Sequence, residues 1–161
     1  MIEVGTRIGE IRAEIAAACG EAGREPSEVR LLAVTKTRPV QTVRAAYASG
    51  CRWFGENRLR ELRAKAVELS DLPDLSWSVI GHVQRNKAAV VVEVADELQS
   101  LDSLELAADL DRRLDAAGRR LDVLVQVNTS GEATKSGLMP EEVDDFTRGC
   151  AAIPGSFLRG S

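Results

Sequence analysis

The sequence predicts an α/β protein built on a parallel sheet, and three observations predict it. Short apolar runs rich in Val, Leu and Ile alternate strictly with longer segments of helical periodicity. The runs are continuous rather than alternating, the pattern of strands covered on both faces. Strand–helix alternation without consecutive strands calls for crossover connections and so a parallel sheet. Two architectures satisfy the pattern: a doubly wound open sheet, and a (β/α)8 barrel, which usually takes about 250 residues. The length of 161 residues favours the first. Polar residues gathered at the strand ends favour the second.

Residues 3–22 carry Ile8, Ile11 and Ile15 on one helical stripe, with Gly20 and Gly23 as terminators. Residues 31–36, LLAVTK, read as the first strand, buried on both faces, and 40–50 as a helix closed by Gly50. The pattern repeats with strand 51–57 and helix 58–70, strand 75–83 and helix 84–95, then a weaker strand 97–103 and helix 104–118. Asp102 with Glu105 makes a capping box for that last helix, with Ser103 the competing cap. Strand 121–130 is the clearest, helix 140–154 opens on Pro140 and two acids, and 156–161 begins a sixth strand. The chain reads as a single domain, residues 1–161, of five βα units and the start of a sixth.

Composition excludes several classes. The hydrophobic fraction is 44% and the net charge is −4, so no overall basic surface marks a nucleic-acid binder. No apolar run approaches the roughly 18 residues of a membrane span, and no signal peptide is visible, so a soluble cytoplasmic protein is expected. The three cysteines, Cys19, Cys51 and Cys150, form no CxxC pair and read as buried free thiols. One histidine, His82, rules out HExxH and any multi-histidine metal site. No GxGxxG or P-loop spacing occurs.

In parallel α/β folds, ligands bind beyond the carboxyl ends of the strands. Here those ends carry Thr35-Lys36, Glu56-Asn57, Gly81-His82, Asp102-Ser103 and Asn128-Thr129-Ser130. Loop starts and helix caps explain part of this set. A lysine closing an apolar run is less readily explained, because burying its ammonium is costly. The chain has 21 Lys plus Arg, of which only Lys36, Lys65, Lys87 and Lys135 are lysines. An amine can condense with an aldehyde, whereas a guanidinium stays protonated. Spacing alone leaves Lys36 either a solvated strand-end cation or a nucleophile.

The segments LLAVTKTRP, FGENRLRE, SWSVIGHVQRNKA and VLVQVNTSGEATKSG, in this order, resemble the signature segments of the pyridoxal phosphate homeostasis protein family. The resemblance runs from the N-terminal helix to about Ile153. It implies a (β/α)8 barrel of the alanine-racemase N-terminal type, carrying pyridoxal 5′-phosphate as a Schiff base on Lys36, with Asn57 beside the ring. His82 and Ser130, at neighbouring strand ends, are carried as further lining. It implies vitamin B6 homeostasis without an established reaction, and pyridoxal-phosphate-dependent apo-enzymes as partners. The family is expected to be monomeric, with no nucleic acid, membrane or metal involved. A racemase- or decarboxylase-like enzyme is the alternative, and a non-binding fragment the third reading. The family's later segments, a SMGMS-like phosphate site and a VRIG-like arginine site, have no counterpart here. The barrel is therefore expected to be incomplete, with open edges suited to self-association and weak, reversible cofactor binding.

Overall fold

A computed structural model describes residues 3–132 and 134–153, together with the backbone of 158–160. Six parallel strands alternate with helices: α1 (Val4–Ala22), β1 (Leu32–Val34), α2 (Val40–Ala48), β2 (Trp53–Glu56), α3 (Leu59–Glu68), β3 (Ser76–Val79), α4 (Ala88–Val94), β4 (Glu97–Leu101), α5 (Leu104–Ala117), β5 (Leu121–Val125), α6 (Val143–Ala151) and β6 (Leu158–Gly160). Short 3-10 turns at Arg85–Lys87 and Pro140–Glu142 lead into α4 and α6. The predicted ends at Pro154 and at residues 156, 157 and 161 lie outside the described residues.

The strand order decides between the two architectures. Neighbours in space are neighbours in sequence, β1-β2-β3-β4-β5-β6, and each pair is parallel. A doubly wound sheet would reverse its order at a switch point. Steady right-handed crossovers instead put every connecting helix on one face. The sheet is thus an arc of the barrel type, the alternative that length had disfavoured. Among the described residues β1 and β6 do not pair, so the arc is open.

The core lies between sheet and helices. Phe54, Trp77, Val79, Leu98 and Leu101 meet Leu62, Val91, Leu106, Leu110 and Leu114, all buried. The rings of Phe54 and Trp77 sit 6.0 Å apart, tilted by 53°. Ile8 is buried and Ile11 and Ile15 are partly so, as the stripe predicts. Gly20 stays inside α1, which ends at Gly23 in the left-handed region, φ 64°.

The other face departs from the expectation for β1. Val34 is 49% exposed, and Leu32 and Ala33 are only partly covered. Among the described residues β1 pairs with β2 alone. Across that face the register aligns Val34, Gly55, Ser78, Glu97 and Asp122. Polar groups fill it. Ser78 Oγ and Gln99 Nε2 donate to Glu97 Oε1 at 2.8 and 2.7 Å, and the Arg30 guanidinium pairs with Oε2. Arg30 also lies 4.0 Å from the centroid of Trp53. Burial raises the Glu97 carboxyl pKa, but the bonds from Gln99, Arg30 and Ser78 outweigh it and hold the group below its usual range. This polar cluster explains why residues 97–103 read as a weak strand.

Two further expectations need adjusting. The cap of α5 is Ser103, whose hydroxyl accepts from Leu106 N–H at 3.2 Å, not Asp102. Cys19 and Cys51 are buried free thiols, whereas Cys150 is only half-buried.

Candidate functional site

The site is built from the carboxyl ends of the strands. At the end of β1 the backbone still pairs with β2, Thr35 N–H donating to Gly55 O at 3.0 Å. The Thr35 side chain is buried and donates to Glu56 Oε1 at 2.7 Å. Lys36 follows, exposed, in the turn before α2. Among the described residues no hydrogen bond or ion pair engages its amine. Thr37 adopts φ 62°, a conformation rare for a β-branched residue, and its N–H donates to Glu61 Oε1 at 2.7 Å.

Asn57 directly follows β2 and is also exposed. The backbone just past β3 presses against it at Gly81, where an added Cβ would stand 2.2 Å from the Asn57 carbonyl oxygen. Ser100 Oγ donates to Gly81 O at 2.7 Å, so the ends of β2, β3 and β4 are stitched together. His82 is half-exposed, with Nδ1 3.2 Å from an Asp102 oxygen. Asp102 thus faces His82, while Ser103 caps α5.

Two cavities meet at His82. A groove of about 1010 Å³ is lined by Asn57, Arg58, Arg63, His82, Lys87 and Glu93, among others. A recess of about 340 Å³ is lined by His82, Gln126, Asn128, Ser130, Lys135 and Ser136, with Val127 and Thr129. The first joins Asn57 to His82, the second joins His82 to Ser130, and Lys36 lines neither. The Ser130 hydroxyl donates to Asn128 Oδ1 at 2.9 Å, which ties its proton to the loop rather than leaving it free. Gly137, at φ 118°, closes this loop, where an added Cβ would lie 2.9 Å from Asn128 N.

Sequence reasoning missed Lys65. It is 5% exposed and its ammonium donates to Glu56 Oε1 at 2.6 Å, Thr35 O at 2.7 Å and Glu61 Oε1 at 2.8 Å. Glu56 is fully buried, and its Oε2 has no partner. The four lysines thus divide: Lys65 has all three protons engaged, Lys135 is paired with Glu132, and Lys36 and Lys87 are unpaired among the described residues. No group of three His, Cys, Asp or Glu side chains that could hold a metal converges among the described residues. No described helix is long and apolar enough to cross a membrane.

Lys36 is thus an exposed amine, unpaired among the described residues, on the turn after β1, and Asn57 directly follows β2. Comparison with known proteins agrees with the fold. The profile of the alanine racemase N-terminal domain family matches residues 8–160. The chain is 42% identical over 160 residues to the pyridoxal phosphate homeostasis protein of Pseudomonas aeruginosa, covering 99% of this chain and 69% of that one. It is 36% identical over 162 residues to the protein of the same name from Escherichia coli. The chain superposes on PipY of Synechococcus elongatus, solved with PLP bound, with a TM-score of 0.76 and 36% identity. That match covers 92% of this chain and 66% of PipY, so the chain spans about two thirds of the length of these relatives. An alanine racemase from Clostridium difficile, 17% identical with a TM-score of 0.63 over 82% of this chain and 35% of that one, shares the fold alone. On these matches the chain belongs to the pyridoxal phosphate homeostasis protein family.

Proposed function

We propose that this chain holds pyridoxal 5′-phosphate through a Schiff base on Lys36 and acts in vitamin B6 homeostasis in the cytoplasm rather than as a catalyst. The observation that carries the reading is the placement of Lys36. It is an exposed amine without a partner among the described residues, at the carboxyl end of β1, where barrel-type sheets bind ligands. Lys65 cannot serve, because its three protons are spent on Thr35 O, Glu56 and Glu61. The relative solved with PLP supports the choice of ligand.

When bound, the cofactor supplies an aldehyde that an amine can capture reversibly. The chain's own residues hold the backbone on either side of Lys36, from which that amine extends. In this reading Asn57, just past the adjacent strand, contacts the ring, and His82 and Ser130, which share a recess, are further lining. Handing the cofactor to apo-enzymes requires such an open, reversible site. The homologues that this chain matches over most of its length are named homeostasis proteins, which supports the non-catalytic reading.

The test is a titration with millimolar pyridoxal phosphate followed by visible absorbance. A Lys36-dependent band, absent in Lys36→Ala and retained in Lys87→Ala, is expected. An equal band in wild type and Lys36→Ala overturns the reading, and racemisation of an added amino acid overturns its non-catalytic part.

A further inference from the structure

We propose that Lys65, with Glu56 and Glu61, is the positioning device for Lys36: a buried ammonium that fixes the backbone on both sides of the reactive lysine. The inference rests on the reading of Lys36 as the attachment point, but the clamp itself is geometric.

The residue before Lys36 is held twice. Thr35 O accepts from Lys65 Nζ at 2.7 Å, and Thr35 Oγ1 donates to Glu56 Oε1 at 2.7 Å. Lys65 closes the triangle by donating to that same Glu56 oxygen at 2.6 Å. The residue after Lys36 is held once, Thr37 N–H donating to Glu61 Oε1 at 2.7 Å, and Lys65 holds that carboxylate at 2.8 Å. One ammonium thereby ties α3 to both flanks of Lys36 and uses all three of its protons to do so. Charge-assisted bonds of this length are the strong class.

The conformation being held is one the sequence would not choose. Thr37 sits at φ 62°, where a β-branched residue is strained. Strain persists only where the surroundings over-determine it, and Glu61 is the acceptor that does so here. The turn would otherwise relax and carry Lys36 with it. A short turn frozen around a flexible side chain fixes where the amine stem starts, which lowers the ordering cost of capturing an aldehyde.

Lys65→Met endangers the buried pair, so the decisive variant is at half-buried Glu61. Glu61→Ala removes the Thr37 acceptor, and Glu61→Gln restores an oxygen in the same place. Two readouts are taken on wild type and both variants: amide hydrogen exchange of Lys36, Thr37 and Arg38 without ligand, and half-saturation by pyridoxal phosphate. Glu61→Ala is expected to speed exchange and to raise half-saturation by about tenfold each, with Glu61→Gln close to wild type. Unchanged exchange in Glu61→Ala overturns the clamp. Faster exchange with unchanged half-saturation shows a clamp that does not position Lys36, and also overturns the proposal. If wild type gives no Lys36-dependent band, the ligand assignment and the positioning proposal that rests on it both fail, while exchange separately decides whether the clamp itself exists.

Discussion

Replacing Lys65 by methionine tests how much the buried cluster contributes to the fold. The methionine stem fills most of the space of the lysine stem, so little cavity is created. What is lost is electrostatic. Glu56 is fully buried, its Oε2 has no partner, and its Oε1 would keep only the Thr35 hydroxyl. Removing one member of a buried pair costs about 3–5 kcal/mol. At about 2–4 °C per kcal/mol for a chain of this size, the thermal midpoint should fall by about 6–20 °C. Thermal unfolding followed by circular dichroism measures this directly. Adding Glu56→Gln removes the stranded charge, and the double variant should recover at least about 1 kcal/mol relative to additivity. A loss below about 1 kcal/mol, the value of an exposed pair, together with additive behaviour, would show that water screens the cluster and that the reasoning is wrong.

Gly81→Ala forces a methyl group against the Asn57 carbonyl oxygen, both on backbone, and should cost about 1–3 kcal/mol in denaturant unfolding while shifting the Asn57 amide resonance. Arg30→Met uncovers Trp53 and leaves Glu97 with only Ser78 and Gln99 as partners; a loss of about 1–3 kcal/mol and altered tryptophan fluorescence are expected. Acid should loosen the Lys36 turn. The Glu61 carboxyl lies below its usual value, chiefly because Lys65 donates to it, with burial opposing and the Thr37 N–H adding to the effect. A lowered folded-state pKa means that the stabilisation is complete above the ordinary carboxylate range and is lost as pH falls through the lowered value. Glu61→Ala should therefore flatten the acid limb of a stability–pH profile, and an identical limb in both proteins would contradict the assignment.

How much was legible depends on which force wrote each feature. Continuous apolar runs located the strands, and their polar ends included Lys36, Asn57 and His82, while the roles given to Lys36 and Asn57 came from the family resemblance. The winding direction was not legible from periodicity, because both architectures alternate strand and helix alike; only the spatial order of the strands separates them. Lys65 was hidden for a different reason. Glu61 and Lys65 are four residues apart on a helix, a spacing that ordinarily marks a solvent-facing pair. Only the packing of α3 over β1 and β2 turns that pair inward, onto Glu56 and Thr35. Val34 was read as doubly covered because its neighbours are apolar, although it lies on the edge strand and is exposed. Asp102 and Ser103 were interchangeable as caps until His82 was seen to engage the aspartate.

The central claim is that Lys36 captures the aldehyde of pyridoxal phosphate. Borohydride reduction of the protein mixed with the cofactor, followed by peptide mass spectrometry, reads it most directly. The account predicts a reduced phosphopyridoxyl adduct on the peptide carrying Lys36, with Lys65 unlabelled because its protons are engaged. Labelling spread equally over Lys87 and Lys135, or confined to them, would contradict it.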